Sequence, residues 1–176
     1  MMNYFDTYKA KYSNWQQDRQ EIEAVARLIN ANCAVKSYLE IGTAEGGSLY
    51  YFGHMLAPHK AVCVDLAEAH TATLREWVFS EMKDAIDITL YAGNSTEPAI
   101  IDAVKSLGQF DVVFIDGGHD YATVKSDWES YGFLAAKFVV FHDICLPDVK
   151  KLWDTIPQPK LSIVETGKFG MGVVFK

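Results

Sequence analysis

Short apolar runs rich in Val, Ile and Phe recur at Tyr38–Ile41, Ala61–Val64, Ile86–Tyr91, Phe110–Ile115 and Phe138–Phe141. Between them lie stretches of helical character, Ser48–Leu56, Thr71–Met82, Glu97–Leu107 and Tyr121–Ala135. Alternation of this kind predicts parallel βαβ units with both sheet faces covered. Right-handed crossovers then give a doubly wound sheet. After Phe141 the pattern changes. Pro147–Ile156 predicts a helix with proline in its first turn, stopped by Pro157 and Pro159. Leu161–Glu165 and Met171–Phe175 are joined only by Thr166–Gly170, too short for a parallel crossover. The predicted fold is therefore α/β, a mostly parallel seven-stranded sheet ending in an antiparallel hairpin. Ahead of the sheet, Ile22, Val25, Ala26 and Ile29 mark one face of an amphipathic helix over Glu21–Ala31. Tyr4, Tyr8, Tyr12 and Trp15 recur at helical spacing, as a stripe that packs on the domain or forms a lid over a pocket.

A parallel sheet brings the carboxyl ends of its strands to one edge, where ligands bind. Here nearly every such end is polar. The first carries Glu40 and the turn Gly42–Gly47, followed by a helix start at Ser48. Glycines there let a ligand approach the backbone, and a helix N-terminus offers unpaired N–H groups. The second end gives Asp65, placed either to accept hydrogen bonds from ribose hydroxyls or to act as a turn or cap aspartate. The third gives Gly93-Asn94-Ser95, placed for a nucleoside edge, with Ser95 equally able to cap the next helix. The fourth and fifth give Asp116-Gly117-Gly118-His119 and His142-Asp143. Carboxylates and imidazoles converging on one edge suit a divalent cation, acid–base chemistry, or both.

Composition narrows the function classes. Hydrophobic residues make up 49% of the 176, as in a packed globular chain. A net charge of -7 argues against general affinity for nucleic acid or anionic membrane. Cys33, Cys63 and Cys145 show no zinc spacing, and reduced thiols in the cytoplasm are expected. No signal-peptide core or run of transmembrane length is seen.

Taken together, Glu40-Ile41-Gly42-Thr43-Ala44-Glu45-Gly46-Gly47-Ser48, Asp65, Gly93-Asn94-Ser95 and the FDVVFIDGGHDY run resemble a class I S-adenosylmethionine-dependent methyltransferase. IDGGHDYATVKSDW and Phe141–Asp143 are similar to the small O-methyltransferase-like branch, with macrolide-sugar and catechol-type relatives. The resemblance implies a Rossmann-like methyltransferase fold over residues 1–176, with residues 1–31 as an N-terminal helical cap. It implies methyl transfer to a hydroxyl oxygen of a small, sugar-like or otherwise hydroxylated acceptor. Glu40, Gly42, Ala44 and Ser48 would line the methionine end of S-adenosyl-L-methionine, Asp65 the ribose, and Asn94 and Ser95 the adenine, with Asp116 at the reaction centre. Asp116, His142 and Asp143 would hold Mg2+ or another divalent cation, and His119 would serve as base beside Asp116 and Asp143. Two departures stand out: Ala44 replaces a common glycine, and His142 stands where many metal-dependent members carry an acid. Alternative readings are a non-catalytic cofactor-binding module and a dinucleotide-dependent oxidoreductase. The expected partner is a small hydroxylated substrate, with no nucleic acid or membrane; a homodimer that completes the pocket is left open.

Overall fold

The computed structural model describes residues 3–176; Met1 and Met2, which open the expected cap, lie outside the described residues. The strands are β1 (Ser37–Ile41), β2 (Lys60–Asp65), β3 (Asp87–Ala92), β4 (Phe110–Ile115), β5 (Ala135–Phe141), β6 (Lys160–Ile163) and β7 (Met171–Phe175). They form one seven-stranded sheet in the order β3-β2-β1-β4-β5-β7-β6. β1 pairs in parallel with both β2 and β4, so the strand order reverses there. That reversal opens the crevice in which ligands of such sheets lie. β7 runs antiparallel between β5 and β6 and supplies the expected hairpin.

Helices cover both faces. α2 (Arg19–Asn32), α3 (Gly47–Leu56) and α4 (Ala69–Met82) bury Ile22, Val25, Ile29, Leu49, Phe52 and Val78 against Tyr38, Cys63, Phe114 and Val140. α5 (Pro98–Lys105), α6 (Tyr121–Tyr131) and α7 (Pro147–Thr155) bury Val104, Val124, Leu152 and Trp153 against Leu39, Val62, Val113 and Val139. Successive strand residues thus serve opposite layers. Full burial of each aliphatic side chain contributes about 1.5–3 kcal/mol, which is why the central strands read as unbroken apolar runs. No helix among the described residues is long and apolar enough to cross a membrane.

Most boundaries shift by one or two residues from the sequence expectation, and two of the differences have a visible cause. The helix expected to reach Ala135 ends at Tyr131, followed by one 3-10 turn over Gly132–Leu134. Ala135 instead pairs with Phe110 of β4, so the ladder overrides the helical preference of alanine. The strand expected to run to Glu165 stops at Ile163. Beyond it the Glu165 N–H donates to Glu21 Oε1 at 2.9 Å, and the Gly170 N–H donates to Oε2 at 3.1 Å. Glu21 is fully buried, and its carboxylate fastens the β6–β7 loop.

The aromatic stripe packs on the domain and also walls the site. α1 (Tyr4–Lys11) buries Tyr8, whose hydroxyl donates to the Glu45 carbonyl at 3.0 Å. Trp15 presses on Gly47, where a Cβ would come within 2.4 Å of the indole nitrogen.

Candidate active site

The strand ends are drawn together by backbone bonds that continue past the strands. The Gly42 N–H donates to the Val64 carbonyl at 2.8 Å, and the Asp116 N–H to the Ile41 carbonyl at 2.8 Å. The Gly93 N–H donates to the Asp65 carbonyl at 2.9 Å, and the His142 N–H to the Ile115 carbonyl at 3.1 Å. Gly42 has φ +87° and lies so close to the end of β4 that a Cβ would sit 2.0 Å from the Asp116 carbonyl oxygen. Ala44 also takes a left-handed φ of 44°, a conformation costing a non-glycine residue about 1–2 kcal/mol. It is clamped on both sides. Its N–H donates to Asp65 Oδ2 at 2.8 Å, and its carbonyl accepts from Arg75 Nη1 at 2.9 Å.

Asp65 therefore holds the turn. Its Oδ1 accepts from the Ala67 N–H at 2.7 Å, and Arg75 lies 3.6 Å away. It also lines a cavity of about 480 Å3 together with Gly42, Ala44, Asn94, Ser95 and Asp116. Each carboxylate oxygen has two lone pairs, so capacity remains for ligand hydroxyls. The Asn94 side-chain oxygen is taken by the Thr96 N–H and hydroxyl. Ser48 faces a second cavity, of about 340 Å3, which shares Gly42, Ala44, Asp116 and His119 with the first.

Glu40, expected at the methionine end of the cofactor, is fully buried and lines neither cavity, with one carboxylate oxygen accepting from the Tyr38 hydroxyl at 2.6 Å. Burial pushes its pKa well above the usual carboxylate range.

A second buried acid backs the first cavity. Asp127 of α6 is fully buried, and neither oxygen has a hydrogen-bond partner. A Cβ on Gly117 would lie 2.9 Å from its Oδ2. Desolvation lifts the Asp127 pKa from 3.8 to about 6, offset only in part by the nearby Ser95 side chain. A raised native pKa means that stability is greatest while the acid is protonated in both states. It falls as pH rises from the unfolded value through about 6. A shift of roughly two units corresponds to about 3 kcal/mol. Asp127→Asn lacks this loss. Denaturant unfolding of wild type and variant at pH 4 and pH 7 is expected to show the difference moving toward the variant by about that amount. A pH-independent difference would show that the acid is solvated.

The second cavity holds the sharpest chemistry. His119 Nε2 lies 2.8 Å from Asp143 Oδ2 and 3.7 Å from Asp116 Oδ1. His142 Nδ1 lies 3.2 Å from Asp116 Oδ1 and 3.1 Å from Asp143 Oδ2. Asp143 has φ +60°, a left-handed conformation that aspartate tolerates better than most residues. The Asp116 and Asp143 carboxylates raise the His119 pKa to about 10. Burial opposes charge on His142, yet the same carboxylates outweigh it and lift that pKa to about 10 as well. Burial would raise Asp143, but the two imidazoles hold it well below the usual range. With both imidazoles protonated, the four groups balance in charge. Phe169, from the loop that Glu21 fastens, stacks on the His142 ring at 5.7 Å.

Asp116, His142 and Asp143 each offer a ligand atom, all within 4.8 Å of one another. Asp143 Oδ1 and His142 Nε2 are buried without a partner. Two carboxylates and one imidazole fit Mg2+ or Mn2+ chemically, and the imidazole widens the choice to other transition metals.

Sequence reasoning missed Gln17. It is 8% exposed, and its Nε2 donates to Asp116 Oδ2 at 3.1 Å. No local pattern marks it. Arg75, buried at 5% exposure, was missed for the same reason.

A comparison with curated proteins finds no match. Among solved structures, the chain is similar to a candidate caffeoyl-CoA O-methyltransferase from Staphylococcus aureus, with 18% identity, 98% of this chain and 90% of that chain covered, and a TM-score of 0.74. It is similar to an O-methyltransferase from Bacillus cereus in complex with S-adenosylhomocysteine, at 13% identity, 100% and 92% coverage and a TM-score of 0.68. It is also similar to the MycE methyltransferase of the mycinamycin biosynthetic pathway, in complex with Mg and S-adenosylhomocysteine. There the identity is 17%, the TM-score 0.65, and the chain covers 99% of itself but 55% of that protein. These likenesses establish the fold. A family model for a methyltransferase domain matches residues 39–144, more than half of the sequence, and the chain belongs to that methyltransferase family.

Proposed function

We propose that this methyltransferase moves the methyl group of S-adenosyl-L-methionine to a hydroxyl oxygen of a small acceptor, with a divalent cation held by Asp116, His142 and Asp143. One observation carries the reading. The Asp65 cavity and the acid–imidazole cavity share a wall of Gly42, Ala44, Asp116 and His119. A nucleoside in the first, with Asp65 on its ribose and Asn94 and Ser95 beside its base, directs the rest of the cofactor along Gly42–Ser48 into the second. The structures solved with S-adenosylhomocysteine, and MycE with Mg, support the same reading. Membership of a methyltransferase family sets aside the dinucleotide oxidoreductase.

The chemistry asks two things of the protein. A sulfonium is already a strong methyl donor, so the acceptor oxygen must be aligned behind the methyl and relieved of its proton. His119, at a pKa of about 10, carries its proton at neutral pH, the wrong state for a base. A cation on the neighbouring carboxylates would lower the pKa of a bound hydroxyl and weaken the hold of those carboxylates on the imidazole proton. Asp116 and Asp143 would hold the cation, and His119 would be free to accept the hydroxyl proton.

Calorimetry with S-adenosylhomocysteine is expected to give one site per chain. Methyl transfer to hydroxylated acceptors is expected to stop in chelator and return with Mg2+ or Mn2+. Absence of heat sinks the cofactor assignment, whereas turnover unaffected by chelation sinks only the cation.

A further inference from the structure

We propose that the acceptor carries an anionic group, carboxylate or phosphate, at the end remote from the methylated hydroxyl, and that Lys9 and Lys168 read it. This rests on the methyl-transfer reading above. A third cavity, of about 660 Å3, opens beyond the acid–imidazole site and shares the segment Tyr12–Gln17 with it. Its far wall is supplied by Lys9, Thr166, Lys168 and Phe169. The two cavities therefore adjoin along this segment, with Gln17 at the waist between them.

The waist is built for a ligand. Gln17 is nine-tenths buried, with its amide nitrogen spent on Asp116. Its Oε1 is buried with no hydrogen-bond partner. A buried carbonyl left this way costs about 1–3 kcal/mol, which an acceptor hydroxyl donating to it would recover.

Charge sets the direction of entry. The inner end holds Asp116 and Asp143 with His119 and His142, and Glu45 on the wall. The outer end holds two ammonium groups, and among the described residues no carboxylate makes an ion pair with either. Lys9 donates to the Trp15 carbonyl, which uses one of its three donors and fixes the side chain. Lys168 lies 4.4 Å over the Phe169 ring. Asp18 also lines this cavity, but its carboxylate accepts from the Gln20 and Glu21 N–H groups at the start of α2. The inner carboxylates are already matched by His119 and His142, whereas no carboxylate among the described residues pairs with the lysines, so an anionic substituent finds unmatched cations at the outer end. In a chain of net charge -7, such a local field is what lets an anion approach at all. Tyr12, Trp15 and Phe169 add aromatic rings to the lining of the outer cavity.

The test uses two matched probe pairs, 3,4-dihydroxybenzoate against its methyl ester, and ribose 5-phosphate against ribose. Each is titrated into the full chain saturated with S-adenosylhomocysteine and Mg2+. One part-buried and one exposed charge contact, of about 0.7 kcal/mol each, give roughly a tenfold preference for the anion. At least one pair is expected to show that preference, and which pair does separates carboxylate from phosphate. The preference is expected to shrink as salt is raised. Lys168→Met is expected to cut it by about threefold while leaving the affinity for S-adenosylhomocysteine unchanged. Lys9→Met is expected to do the same. Equal binding of anion and neutral partner in both pairs overturns the proposal, as does full preference retained in both variants. Failure of every probe to bind while S-adenosylhomocysteine binds overturns it too, and leaves the methyl-transfer reading standing. If S-adenosylhomocysteine itself does not bind, the reading beneath the proposal has failed and the proposal falls with it.

Discussion

Gly42→Ala is expected to destabilise the protein by about 2–5 kcal/mol and to abolish cofactor binding. Two terms add. A left-handed φ costs a residue with a Cβ about 1–2 kcal/mol. The new methyl would also sit 2.0 Å from the Asp116 carbonyl oxygen and 2.8 Å from Gly117 Cα. Neither atom belongs to a flexible side chain, so β1 and β4 must part, and overpacking of this kind typically adds 1–3 kcal/mol or more. Against a total stability of about 5–15 kcal/mol, that is a large fraction. Gly108→Ala provides the control. It has φ +85° with nothing within 4 Å of its would-be Cβ, so only the conformational term applies. Chemical denaturation of the two variants therefore separates strain from collision. Similar losses in both would show that the ends of β1 and β4 do not approach as closely as described.

The same close approach explains what could be read from the sequence. The strand ends were legible because a parallel sheet must gather them, and because glycines, Asp65, Asp116, His119, His142 and Asp143 stand directly after apolar runs. Burial periodicity reports which way a strand faces, and so the fold was legible as well. What escaped is what periodicity does not encode. Glu40 sits among the buried Tyr38, Leu39 and Ile41, and its hydrogen bond from the Tyr38 hydroxyl is not visible in the pattern. Gln17 lies in a polar stretch that reads as surface, yet its partner is Asp116, 99 residues away. Glu21 opens an amphipathic helix as an ordinary first-turn acid, but it serves the backbone of a loop 144 and 149 residues further on. Polar residues look alike in sequence whether solvated or buried with one partner. Contacts of that range carry no local signal. The stretch 132–135 failed for a related reason, since alanine prefers helix until a neighbouring strand offers it a ladder.

Asp116→Asn is expected to lower kcat by about a thousandfold while leaving the fold and the affinity for S-adenosylhomocysteine nearly intact. Asparagine keeps the shape, and its oxygen can still accept from Gln17 Nε2. What disappears is one of the two carboxylate charges against which His119 and His142 are set at 3.7 and 3.2 Å. Loss of a single group that stabilises developing charge in a dry site commonly costs a hundred- to a thousandfold. Here the same group is also one of three cation ligands, so the upper end applies. Three measurements divide the possibilities. Cation affinity, by titration of Mn2+, is expected to fall together with kcat. The pKa of the His142 ring, by NMR, is expected to drop, because one of the charges that raises it is gone. Denaturant stability is expected to fall modestly, by about 1–3 kcal/mol, because the hydrogen bond to Gln17 has a replacement whereas the charged contact with His142 does not. A variant within threefold of wild-type kcat, with Mn2+ affinity unchanged, would remove Asp116 from the reaction centre. The methyl acceptor would then have to be held by His119 and Asp143 alone.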